Sequence, residues 1–256
     1  MLPDFRRFAA STRAIDAEWS ACASTNEVWS ATGIAWATEN GPLQVVNSSG
    51  ILGVQKPGRD AVSNPRTAAT EKIVSDLAYH LGLPVPPMTL WDRGEAAGQP
   101  RYVAVSAWAY ESPLTWAQAD TALTADQKAS LLQWASAMAP FESWIDAQDR
   151  QNAGNMLVGQ DAAGDMLGAW IDYAFSLDYA WKGNHITDCR VPPIYPPVGA
   201  AMAVVMIEVA DRIAGVDNAT IEEIVNRIPS TYLPRDAAAN IIRNLQDRRA
   251  GVRALV

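Results

Sequence analysis

The stretch His80-Leu81-Gly82-Leu83-Pro84-Val85-Pro86-Pro87 limits what this chain can build more than any other. Before it, Ile73, Val74, Leu77, Ala78 and Leu81 recur at helical spacing. Gly82 supplies the left-handed residue on which helices commonly end. Prolines at 84, 86 and 87 then forbid a resumption, since each lacks an amide donor and crowds the preceding turn. The helix can begin at Asn64-Pro65, a cap followed by a residue suited to the first helical position. Extended segments enclose it. Upstream, QVV (44–46) and GILGVQK (50–56) read as strands of a hairpin joined by Asn47-Ser48-Ser49-Gly50. Downstream, VPPMTLWDR and RYVAVSAW read as two more, with GEAAGQP between them. The expectation is about four or five strands and one inserted helix before residue 110, behind an amphipathic N-terminal helix.

After residue 110 the pattern turns helical. TADQKASLLQWASAMAPFESWI is periodic, with Thr124 or Asp126 as its start signal. NMLVGQ and MLGAWID form a short hairpin pattern around Asp161-Ala162-Ala163-Gly164, and RVPPIYPPV suits neither a helix nor a central strand. Three capped helices close the chain: GAAMAVVMIEVADRIAG, NATIEEIVNRI and PRDAAANIIRNLQDRRAGVRAL. The fold class expected is α+β and bilobal. Residues 1–110 make a small antiparallel sheet lobe with one helix, and residues 111–256 a larger, mostly helical lobe, with a ligand-sized cleft between them.

Composition excludes more than it assigns. The chain has 256 residues, 49% of them hydrophobic, enough for a sizeable core. A net charge of −8 argues against a broad nucleic-acid-binding surface. Cys22 and Cys189 are too few for a disulfide framework, which makes a reducing cytoplasm the default. The N-terminus lacks a signal-peptide core. The longest apolar run near the C-terminal half is broken by Glu208 and Asp211, so no membrane span is expected.

Five polar positions stand out on this map. Lys56 ends the apolar strand GILGVQK, and Glu71 lies fifteen residues later on the following helix, able to reach back to it. Asp149 and Asn155 lie in the loop before the late hairpin, and Asp172 ends that hairpin's second strand. A strand lysine, a helix glutamate, a loop Asp with a following Asn and a strand-end Asp are the parts that phosphoryl transfer from ATP requires. Lys56 would grip the phosphates while Glu71 holds its flexible stem. Asn155 and Asp172 would offer hard oxygens to Mg2+, and Asp149 would accept or orient the acceptor hydroxyl's proton. Ser49 and Gly50 can lay backbone amides over the phosphates. Ser106 and Trp108, where the lobes join, can meet an adenine. Taken singly, each residue has a plainer reading. Lys56 can be a solvated charge, Asp149-Arg150 a surface pair, and Trp108 core packing; His80 is a helix-end residue, and His185 beside Asp188 and Cys189 a loop histidine.

GVQKPG, TEKIVSDLAYHLGLPVPP, IDAQDRQNAGNMLV and GAWIDYAFSL resemble, in order and character, the HipA-like kinases, relatives of the phosphatidylinositol kinases. The resemblance spans residues 41–256 and includes the closing IPSTYLPRDAAANIIRNLQDRRAGVRAL; residues 1–40 match nothing in it. It implies a protein kinase-like fold, ATP and Mg2+ as cofactors, and a protein Ser or Thr as acceptor. It also allows an antitoxin or other regulatory partner. Two departures are visible. Gln151 stands where the family loop carries His, and Asn155 follows Asp149 by six residues rather than five, with Asn152 three after. Asn155 is preferred as the metal ligand, because Asn155-Met156-Leu157-Val158 reproduces the family's entry into the strand. The alternatives are a small-molecule or lipid head-group kinase of the same fold, and an inactive relative that binds nucleotide or a partner.

Overall fold

The computed structural model describes residues 2–36, 41–56, 66–94, 101–177 and 202–256. The expected cap and first residue at Asn64 and Pro65, residues 95–100 of the GEAAGQP turn, the proline-rich 190–198 stretch, His185, Asp188 and Cys189 lie outside them. The architecture is α+β. After helix α1 (Ala10–Ala21), a five-stranded antiparallel sheet runs in the order β1-β2-β3-β5-β4, comprising β1 (Trp29–Ala35), β2 (Leu43–Asn47), β3 (Leu52–Lys56), β4 (Met88–Asp92) and β5 (Tyr102–Ala107). Helix α2 (Arg66–Leu81) is inserted between β3 and β4. The strand count and the inserted helix agree with the sequence pattern.

The end of α2 shows why its neighbours are extended. Gly82 sits at φ +71°. Its amide donates to the Tyr79 carbonyl (3.0 Å) and Leu83 donates to Ala78 (2.8 Å), the paired bonds of a glycine-stopped helix. Period-two alternation sorts the sheet's residues. Val105 and Ala107 face α1, where they pack with Ile15, Trp19, Trp29 and Val45. Ala104 turns to the other face and joins α2 in the main core.

Beyond residue 110, β6 (Leu114–Thr115), β7 (Met156–Gln160) and β8 (Met166–Trp170) form a second, three-stranded antiparallel sheet. It is accompanied by helices α3 (Trp116–Ala122), α4 (Ala125–Trp144), α5 (Ala203–Gly215), α6 (Asn218–Asn226) and α7 (Arg235–Arg249). Thr124, not Asp126, caps α4, in a reciprocal capping box with Gln127. Of the three closing helices only α6 carries a side-chain cap, with Asp217 accepting from the Thr220 amide; α5 and α7 have none. One continuous core runs from Phe5 through α2, α4 and the β7–β8 hairpin to Val252. Among the described residues no helix is long and apolar enough to cross a membrane.

The expected amphipathic N-terminal helix is α1, and residues 2–21, whose partners the sequence does not indicate, tie distant parts together. Phe5 meets Trp134 edge-on at 5.2 Å. The Arg6 guanidinium donates to both Asp16 carboxylate oxygens and to the Leu83 carbonyl. Arg7 reaches Asp161 and Asp165 at the β7–β8 turn. The Thr12 hydroxyl and the Ala9 amide donate to the carbonyls of Trp108 and Ala109, on the connector between the two sheets.

The β2–β3 turn is fastened from within. The Asn47 side chain accepts from the amides of Ser49 (3.0 Å) and Ile51 (2.8 Å) and donates to Glu27 (2.7 Å). The Gly50 amide, at φ +78°, is spent on the Asn47 carbonyl. Asn47→Ala is therefore expected to cost about 1–2 kcal/mol, the scale of a lost cap. Because this turn lies away from the cleft described next, the affinity of that cleft for a ligand should not change. Urea denaturation and ligand titration of the same variant check both halves.

Candidate active site

A cleft of about 920 Å³ opens between the five-stranded sheet and the β6–β8 sheet, in the size range of ligand pockets. Its upper wall follows from strand alternation. Val54 and Lys56 point the same way from β3, and β5 pairs in a register that sets Ser106 beside Val54. Those three, with Thr67, Ala68 and Glu71 of α2, line one side. Asp149, Asn152, Gly154, Asn155, Ile171 and Asp172 line the other.

Lys56 and Glu71 meet as the sequence suggested, with Nζ 3.0 Å from Oε1. The lysine side chain is 16% exposed and the glutamate 4%. Burial pushes the Glu71 carboxyl above the ordinary glutamate value. Lys56 and the Tyr173 backbone amide pull it down, while the charge of Asp172 pushes it further up. Glu71 thus feels both walls of the cleft.

The lower wall is set by a loop in unusual backbone. Asp146, Asp149, Asp172 and Leu177 all have φ between +51° and +66°. Such angles are uncommon outside glycine, and Asp tolerates them better than most residues. The loop is stitched to the segment after β8: the Gln148 amide donates to Phe175 (3.1 Å) and the Leu177 amide to Ile145 (2.9 Å). Among the described residues the Asp149 carboxylate has only long contacts, to the side-chain amides of Gln151 and Asn152 at 3.5 Å each. It remains open to the cleft.

The two asparagines separate by what their oxygens do. Asn152 Oδ1 accepts from the Gly154 amide at 2.9 Å, capping a short 3-10 turn over Ala153–Asn155. Asn155 donates its Nδ2 to the Asp149 carbonyl (3.0 Å), and among the described residues its Oδ1 accepts no hydrogen bond. The Ile171 amide donates to the Asn155 carbonyl at 3.0 Å, which brings Asn155 and Asp172 together at one end of the β7–β8 hairpin. Among the described residues no group of three His, Cys, Asp or Glu side chains could hold a metal. Two hard oxygens, Asn155 Oδ1 and the Asp172 carboxylate, nonetheless fit the way Mg2+ is held when phosphates and waters supply most of its ligands.

Three of the sequence readings are corrected. Ser49 and Gly50 do not reach the cleft. A hairpin turn precedes β3 and Lys56 ends it, so the two lie at opposite ends of a five-residue strand, about 17 Å apart by strand rise. The connection at the cleft end is the one between β1 and β2, which contributes Trp36 and Pro42 to the lining. Trp36 stacks on Trp108, their ring centroids 5.9 Å and planes 27° apart, so Trp108 lines the cleft rather than filling the core. Ser106 lines it too, although its side chain is buried and bonds to the Ala107 carbonyl.

The third correction concerns Arg150, which is no surface partner of Asp149. Its Nε donates to Glu142 at 2.9 Å, with side chains 10% and 6% exposed. The Tyr173 hydroxyl donates to the same Glu142 oxygen at 3.1 Å. Burial raises the Glu142 carboxyl above its usual range, opposed by Arg150. The sequence carried a signal for this, since Glu142 is the one charged residue of Met138-Ala139-Pro140-Phe141-Glu142-Ser143-Trp144-Ile145, an otherwise mainly apolar end of α4.

No protein-family model matches the chain, and no curated protein matches it significantly.

Proposed function

We propose that this chain is an ATP- and Mg2+-dependent phosphotransferase with a protein kinase-like, two-lobed fold of the HipA-like type, acting on the hydroxyl of a protein Ser or Thr. The observation that supports it most is one cleft holding the Lys56–Glu71 ion pair on one wall and Asp149, Asn155 and Asp172 on the other. Lys56 grips the phosphates, with Glu71 fixing its stem. Trp36, Trp108 and Val54 offer an apolar recess for the base. Asn155 and Asp172 would hold Mg2+, which supplies positive charge against the phosphates. The acceptor oxygen forms a bond to the γ-phosphorus, and the bond from that phosphorus to the β–γ bridging oxygen breaks. The electron pair leaves with ADP, and the hydroxyl proton passes to Asp149.

Two measurements test this. Mg·ATP at roughly a hundred times its Kd should raise the melting temperature by about 5–10 °C for a domain of this size. Radiolabel from γ-labelled ATP should then appear on a protein band, the chain itself or a lysate protein. No thermal shift would remove nucleotide binding and the proposal with it. A shift without labelled protein would move the acceptor to a small molecule or lipid head group, or leave a nucleotide-binding module without transfer.

A further inference from the structure

We infer that Arg150 is a positioning residue whose guanidinium sets the backbone beneath both metal-ligand candidates, Asn155 and Asp172. This rests on the function proposed above.

The geometry carries the argument. Nη1 donates to the carbonyls of Asp172 (2.8 Å) and Ile171 (3.1 Å), and Nη2 to those of Ile171 (3.2 Å) and Asn155 (3.4 Å). Nε, on the third edge of the same plane, is held by Glu142 at 2.9 Å. The guanidinium also lies over the Tyr173 ring, 4.4 Å from its centroid, while the Tyr173 hydroxyl bonds to Glu142. Glu142 belongs to the last turn of α4, a helix built into the core on several sides. A path of hydrogen bonds therefore runs from α4 through Glu142 and Arg150 to three carbonyls, two of them on the metal-ligand candidates Asn155 and Asp172. Asp172 at φ +66° holds a backbone that an aspartate leaves readily once its carbonyl is released. Arg150 also follows Asp149 directly, so the same plane bears on the proton acceptor.

Lysine cannot replace this arrangement, because a single ammonium offers its donors from one point and does not span a carboxylate and three carbonyls in a plane. The orientation of ligands by groups behind them accounts for about 10–100-fold in metal affinity.

The experiment uses Arg150→Lys and Glu142→Gln in the full chain, each measured well below its own melting temperature. Mg2+ is titrated at saturating ATP, and both the thermal shift and the transfer rate are read. In both variants the Mg2+ concentration giving half the effect should rise by about 10-fold or more, while KM for ATP at saturating Mg2+ stays near wild type. A role confined to holding the fold lowers the active fraction and scales kcat without moving the Mg2+ midpoint. An unmoved midpoint in either folded variant overturns the inference. If neither variant melts cooperatively, the contacts serve the fold as a whole and the inference is overturned as well. Failure of the wild-type chain to respond to Mg·ATP is read separately, before any variant, and refutes the phosphotransferase reading itself.

Discussion

Asp149→Asn is expected to slow phosphoryl transfer by about 10²–10⁴-fold, the scale of a lost general base, while leaving the Mg·ATP thermal shift nearly intact. Asparagine is the informative replacement here. Asp149 sits at φ +60°, and asparagine visits that conformation routinely, whereas alanine there costs about 1–2 kcal/mol of backbone strain. The Asp149 carbonyl, which accepts from Asn155 Nδ2, is untouched by the change, so the neighbouring oxygen donor keeps its place. Among the described residues the carboxylate itself has only contacts at 3.5 Å, on which little folding energy depends. Initial rates of radiolabel transfer and melting curves of the same preparation separate chemistry from binding. A rate close to wild type would take the proton acceptor's role away from Asp149.

What the sequence disclosed and what it hid divide along physical lines. Lys56 and Glu71 were legible as a pair because a strand and the next helix are neighbours in both chain and space. The α2 stop, the β2–β3 and β7–β8 hairpins and four of the five early strands were legible for the same local reason. Ser49 and Gly50 were misassigned although the means to exclude them were present: a turn opening a strand and a lysine closing it lie a strand length apart. Trp36 was passed over because only the sheet's pairing order brings the β1–β2 connection beside Lys56. Asn155 and Asn152 could not be separated by spacing, since the distinction is which side-chain oxygen caps Gly154. Arg150 looked like a surface charge because its partners, Glu142 and residues 155, 171 and 172, are assembled only by tertiary packing. Helix α1 was legible from its periodicity, but the partners of residues 2–21 were not, for that reason in its purest form, with contacts at Leu83, Trp108 and Asp161.

Lys56→Met should abolish the Mg·ATP thermal shift and also destabilise the chain by an amount that depends on pH. Methionine keeps most of the stem and removes the ammonium, leaving the Glu71 carboxylate buried without its partner. Breaking a buried pair costs about 3–5 kcal/mol; since Lys56 is 16% exposed, about 3 kcal/mol is expected near neutral pH. The sign with pH follows from Glu71. Its carboxyl already lies above the ordinary glutamate value through burial, with Lys56 opposing, and loss of Lys56 lifts it further. A group raised in the folded state contributes stability fully below its unfolded pKa and loses it as pH rises through the folded value. The variant's deficit against wild type should thus be small in acid, where Glu71 is neutral in both chains. It should grow as pH climbs through the window above the ordinary glutamate range, where the variant's Glu71 must ionise without a cation. Urea denaturation at several pH values reads this directly. Adding Glu71→Gln should flatten the pH dependence and recover much of the stability, without restoring the Mg·ATP shift. The double variant therefore separates the two roles of the pair: the charge balance inside the fold can be repaired by removing both charges, but the grip on phosphate requires the ammonium itself. A Lys56→Met deficit that stayed level across pH would mean that Glu71 does not depend on Lys56 for its ionised form, and the pair would lose its place as the anchor of the site.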